Sequence, residues 1–118
     1  MTAWIFDRSG RARIIRDGDC LRSARGVVVA WISANGVFDV RGQHVGWFEG
    51  GVLYDANNCV IGFEQDATGS LPSSPGVGGT PGKPGFAGKP GRPGLSGAPG
   101  RPGKGGWSDE DLATYFKE

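Results

Sequence analysis

Trp31, Trp47 and Phe63 stand sixteen residues apart, and so do Asp7, Ser23, Asp39 and Asp55. Gly10, Gly26, Gly42 and Asn58 keep the same interval. Cut from Ile5, the chain divides without a gap into IFDRSGRARIIRDGDC, LRSARGVVVAWISANG, VFDVRGQHVGWFEGGV and LYDANNCVIGFEQDAT. A unit this short cannot bury its own apolar face, so the four copies must share one core. The first copy is the most divergent, with Arg13 and Ile14 where the later ones carry Val29 and Ala30, Val45 and Gly46, Ile61 and Gly62.

Each unit reads as a β-hairpin. An apolar pair such as Val37-Phe38 or Leu53-Tyr54 leads into Asp-x-x-Gly or its Asn variant. There the carboxylate can accept backbone N–H groups, and Gly or Asn tolerates left-handed backbone. A second strand follows, and a turn such as Ala34-Asn35-Gly36 or Gly50-Gly51 closes the unit. Strict alternation puts Val29, Val45 and Ile61 on one buried face with Ile15, Trp31, Trp47 and Phe63. Ala30, Gly46 and Gly62 fall between these columns, small enough for a neighbouring strand to approach closely. Ile5, Leu21, Val37 and Leu53 form a further apolar column.

One hairpin is marginal in water, whereas four around a pseudo-fourfold axis bury one centre and leave few open edges. The expected fold is therefore all-β. Tandem units of the form [VIL]-[FY]-D-x-x-[GN]-x-x-[VI]-G-[WF], followed by a Pro/Gly-rich tail, resemble the bacterial four-fold β-flower domain family. The resemblance covers residues 3–68 and is closest in the last two units. It implies the fold and brings no activity with it.

Composition changes near Thr68, giving three segments: a β-flower at 1–68, a Gly/Pro-rich collagen-like stretch at 69–106, and a short docking helix at 107–118. Glycine recurs at every third position from Gly76 to Gly106, making ten Gly-Xaa-Yaa triplets of which six end in Pro. Proline forbids an α-helix, and in polyproline II, with three residues per turn, all the glycines share one edge. The tract also has a nine-residue rhythm, which spaces Val77, Phe86 and Leu95 along one side. Three packings are open. The favoured one is a homotrimeric triple helix about 90 Å long, using Gly79, Gly82, Gly85, Gly88, Gly91, Gly94, Gly97, Gly100 and Gly103. The others are a single strand docked on its own flower or elsewhere, and a solvated spacer.

After Gly106, Ser108 is placed as a helix N-cap with Asp111 three residues on, and Trp107 and Leu112 as a hydrophobic staple. Leu112, Tyr115 and Phe116 share one face of a helix of about ten residues, too short to persist without a surface to dock on. That surface is either the chain's own fold or a protein partner.

Composition excludes more chemistry than it suggests. No Ser-His-Asp constellation, phosphate-binding loop or zinc-ligand spacing occurs, and His44, the sole histidine, falls on the face opposite Val45, where exposure is expected. The sequence thus points to a non-enzyme with no cofactor and no metal. Asp7, Asp39 and Asp55 could ring a cation, but Ser23 breaks the ring and turn formation accounts for each carboxylate. Arg8, Arg11, Arg13 and Arg16 lie among Asp7, Asp17 and Asp19, with which they are expected to pair. The net charge is +1, and the five basic residues of the tail are too dilute for nucleic acid. No apolar run reaches the roughly 20 residues that cross a membrane. MTAWIFDRSG does not read as a secretory signal, so Cys20 and Cys59 are expected as reduced thiols and the cytoplasm is the default location, with non-classical export as the other route. The functional expectation is a structural or adaptor protein that self-associates through its Gly-Xaa-Yaa tail. The alternative is a monomeric module binding a small ligand between Trp31, Trp47 and Phe63 at the flower centre.

Overall fold

The computed structural model describes residues 2–69, 71, 76–97, 100–103 and 105–116. The remaining positions of the three segments, from Met1 to Lys117 and Glu118, lie outside the described residues. Eight antiparallel strands run in chain order: β1 (Thr2–Phe6), β2 (Ala12–Asp17), β3 (Cys20–Ser23), β4 (Val28–Ser33), β5 (Gly36–Asp39), β6 (His44–Glu49), β7 (Val52–Tyr54) and β8 (Val60–Glu64). Every strand pairs with its sequence neighbour, and β8 returns to β1 through Ile5↔Glu64 and Phe6↔Phe63, so the barrel is closed. Closure removes the exposed edges that a four-hairpin sheet would otherwise present.

Three of the four hairpin turns are built alike on an aspartate. Asp7 Oδ1 accepts the Ser9 and Arg11 amides, Asp39 Oδ1 those of Arg41 and Gln43, and Asp55 Oδ1 those of Asn57 and Cys59. Ser23 Oγ manages one such bond, to Arg25. The fourth residue takes positive φ in all of them: 80° at Gly10, 87° at Gly26, 86° at Gly42 and 61° at Asn58. Burial alone would raise the Asp7 carboxyl. The Arg11 amide, the Arg13 guanidinium and the Ser9 amide outweigh that effect and hold it below the usual carboxylate range.

A β-bulge recurs in every hairpin and corrects the expected alternation. The register skips Arg13, Val29, Val45 and Ile61, because Ile5 pairs with Ile14 but Phe6 with Ala12, and likewise around the barrel. Two consecutive residues therefore turn inward. Val29 and Ala30 both belong to the central cluster with Ile5, Leu21, Val37, Leu53 and Ile61, whereas Trp31, Trp47 and Phe63 go to the outer face. The small residues behave as expected: a Cβ at Gly46 would overlap Tyr54 O, and one at Gly62 would press on Ile5 and Leu112.

The boundaries near 68 and 106 mark changes of conformation within one packed body. The glycine-third tract lies on its own barrel, the second of the packings open from sequence. The molecule measures 36 × 36 × 22 Å, so the tract wraps as a strap and does not project. The final segment folds back as α1 (Leu112–Tyr115), one turn only, with Leu112 and Phe116 in the central cluster. Its N-cap is Asp111, whose carboxylate accepts the Ala113 amide, and not Ser108 as expected. The Ser108 hydroxyl lies upstream of α1, donating to Asp55 Oδ2 and accepting the Glu110 amide (3.0 Å).

Two glycine substitutions separate turn strain from strap contact. Gly18 has φ 62° with open space beyond it, so Gly18→Ala should cost about 1 kcal/mol in urea denaturation. At Gly42 a Cβ would also overlap Gly94 O, and Gly42→Ala should cost about 2–3 kcal/mol.

Candidate functional site

The strap makes one backbone hydrogen bond to each hairpin at the positive-φ residue of the turn. Gly78 N–H donates to Gly10 O (2.8 Å), Ala87 to Gly26 O (3.2 Å), Ser96 to Gly42 O (2.8 Å) and Gly105 to Asn58 O (3.3 Å). The donors advance by nine residues and the acceptors by sixteen. Nine residues of polyproline II span about 28 Å. A quarter of the circumference of a circle 36 Å across is also about 28 Å, so the nonapeptide rhythm measures the step from one hairpin to the next. A Cβ on Gly10, Gly26 or Gly42 would overlap the carbonyl of Gly76, Gly85 or Gly94, so these barrel glycines admit the strap to van der Waals contact.

Two of the four contacts carry side-chain clamps. Arg22, 3% exposed, stands where other hairpins have Phe6, Phe38 and Tyr54. It bridges Asp17 Oδ2 (2.9 Å), Gly26 O and the strap carbonyl of Ala87 (both 2.7 Å), and its guanidinium lies 4.4 Å from the Phe86 ring centroid. The pairing is reversed at the last hairpin, where the strap provides the cation. Arg101 lies 4.8 Å from the Tyr54 centroid and bonds Asn58 Oδ1 (2.8 Å) and Glu49 (2.9 Å), while Asn58 Nδ2 donates to Pro102 O. Arg22 was not singled out from sequence, although it is the sole charge in its repeat column.

The docking residues of the tip come together on the barrel. Leu112 and Phe116 are buried at 1% and 7% exposure, and the Tyr115 hydroxyl donates to Val45 O (2.6 Å) and accepts the Ala56 amide (3.1 Å). Trp107 pairs in parallel with Val60 and stacks edge-on against Phe63. By contrast, Trp31, Trp47 and Phe63 are buried in three different outer clusters and frame no shared cavity among the described residues, because the bulge reverses the face on which they stand. The triplet glycines at 79, 82, 85, 88, 91, 94, 97, 100 and 103 have open space within 4 Å of where a Cβ would stand.

The other ionisable groups serve the fold. Arg13 pairs with Asp7 (3.0 Å), as expected, whereas Arg16 pairs with Glu64, Asp17 with Arg22, and Asp19 with Lys89 (3.5 Å). Both cysteines are free thiols, and burial pushes the Cys20 thiol up. Among the described residues no three His, Cys, Asp or Glu side chains converge as a metal site would require.

His44 is half-buried, against expectation, with its ring 4.5 Å from that of Trp47 and 5.4 Å from that of Phe38. Its buried Nε2 has no hydrogen-bond partner among the described residues, and burial lowers the imidazole pKa. The unfolded chain then takes up the proton first, so this group makes stability fall as the pH drops through about 6.5. His44→Phe should flatten that part of the curve of stability against pH. Arg22→Ala should cost about 3 kcal/mol in thermal unfolding, since it strands Asp17 and two carbonyls, and Arg22→Lys should recover only part.

A family model described as "4-fold beta flower protein" matches residues 3–116, which takes in the strap and the tip as well as the barrel. No curated protein and no solved structure matches the chain. The sixteen-residue hairpins, the closed eight-strand barrel and the extent of that match agree: the chain belongs to the 4-fold beta flower family.

Proposed function

We propose that the protein is a non-catalytic structural or adaptor protein that self-associates through the outer edge of its Gly-Xaa-Yaa tail. The observation that carries this is the row of triplet glycines. From Gly76 to Gly103 each one is exposed, none has positive φ, and a Cβ at any of them would meet nothing within 4 Å. Docking on the barrel therefore uses backbone N–H and C=O groups and leaves the bare glycine edge unused. Glycine costs about 0.5–1 kcal/mol relative to alanine in an ordered position. Ten such positions amount to several kcal/mol, and among the described residues nothing packs where their side chains would stand. A second polyproline II strand laid against the edge supplies the missing contact, because only glycine permits that approach.

The triplet pattern taken alone favours a homotrimer, formed here by straps meeting edge to edge on their barrels and not by the straight triple helix of about 90 Å expected from sequence. The aromatic-centre alternative is not carried further, since its three rings stand apart. The tip needs no foreign partner in this arrangement, its apolar face being spent on the barrel.

Light scattering across a concentration series should give a mass that rises to a defined multiple of 12.3 kDa. Gly82→Ala/Gly91→Ala/Gly100→Ala should hold the mass at one chain with the melting temperature unchanged. A wild-type chain that stays monomeric at the highest concentration would overturn the proposal.

A further inference from the structure

Departures from the sixteen-residue repeat fall into two groups. Arg22 and Asn58 serve the strap, as described. Arg13, Ile14 and Ser23 have no such role, yet all three line one cavity of about 530 Å³ between the first two hairpin turns and the C-terminal tip. Arg25, Thr114 and Phe116 complete the part of the wall that matters here. Its size falls within the range of small-molecule sites.

The pseudosymmetry provides an internal control. One repeat further on, Val29, Asp39, Val40 and Arg41 occupy the positions of Arg13, Ser23, Ala24 and Arg25, and they line a cavity of about 350 Å³ on the other side of Phe116. That cavity pairs one arginine with one carboxylate. The larger one has two arginines, and its turn is the only one of the four built on a hydroxyl in place of a carboxylate. Serine is the poorer turn residue, accepting one amide where each aspartate accepts two. Local folding therefore does not favour it, and it leaves this wall with one carboxylate fewer than that of its symmetry mate.

The geometry points to a binding site for a small amphiphilic anion, an acidic head group on an apolar body, between the first two turns and the tip. Arg13 is paired with Asp7 through Nε and Arg25 is also engaged, but each guanidinium carries five donors. The Arg13 donors beyond that bond, with the Ser23 hydroxyl, can meet an oxyanion, while the Thr114 hydroxyl is spent on Asp111 O (3.3 Å). Ile14, Phe116 and the alanines of the wall accept the apolar body.

Two variants that restore the repeat test this with little risk to the fold, because neighbouring hairpins already use those residues. Arg13→Val and Ser23→Asp convert the cavity to the chemistry of its symmetry mate. Octanoate, octyl phosphate and octanol are titrated into the full chain by calorimetry at low salt. Octanoate or octyl phosphate should bind in the micromolar-to-millimolar range, and their ratio identifies the preferred head group. Ser23→Asp and Arg13→Val should each weaken binding about tenfold or more, with Ser23→Asp melting no lower than the wild type. The site is overturned if neither anion binds below about 10 mM, if octanol binds as well as either, or if Ser23→Asp leaves affinity unchanged.

Discussion

One residue per hairpin holds this molecule together: the positive-φ residue of the Asp-x-x-Gly turn. Its N–H closes the turn onto the aspartate carbonyl, as in Gly10 to Asp7 (2.9 Å) and Gly42 to Asp39 (3.0 Å). Its C=O points outward and accepts the strap. The left-handed backbone makes this possible by exposing the carbonyl and presenting a bare Cα on which the strap carbonyl can rest. A residue with a Cβ there closes the approach. Asn58 is the exception, and there the amide side chain binds Pro102 O and Arg101 directly.

Two unrelated periods thus meet at one point. The barrel repeats every sixteen residues because that is one hairpin, and the strap every nine because that is one quarter of the rim in polyproline II. Neither component is stable by the usual means. A polyproline II segment has no internal hydrogen bonds, and a one-turn helix does not persist alone. Both are ordered by the barrel, and the barrel interior is completed by the tip, since Leu112 and Phe116 fill the centre that Ile5, Leu21, Val37 and Leu53 leave open. The backbone bonds are alike at all four hairpins, and side chains distinguish one hairpin from another along the strap: the cation–aromatic clamps at Arg22–Phe86 and Arg101–Tyr54, the Lys89–Asp19 pair, and the His44 amide on Ser96 Oγ.

Much of this was legible in the sequence. The repeat, the hairpins, the aspartate turns and the closed all-β fold follow from spacing and turn chemistry. The bulge was not legible, because nothing in the residue types of Val29 or Val45 distinguishes a bulged valine from a paired one. That single slip moved Trp31, Trp47 and Phe63 from an expected centre to the outside. The helix cap moved because Ser108 and Asp111 are both good caps and each accepts the amide two residues on, Glu110 and Ala113, but only the chain after Asp111 turns helical. The nine-residue rhythm was visible, but its meaning needed the barrel diameter. Arg13 and Ser23 were legible as irregularities, and it took the folded chain to bring them into one cavity.

Amide hydrogen exchange of the intact chain tests the central claim most directly. Strap recognition through the turn carbonyls requires the amides of Gly78, Ala87 and Ser96 to be protected well beyond those of their neighbours Gly79, Gly88 and Gly97, with a nine-residue period along the tract. Uniform exchange at the free-peptide rate from Gly76 to Gly97 would contradict the account.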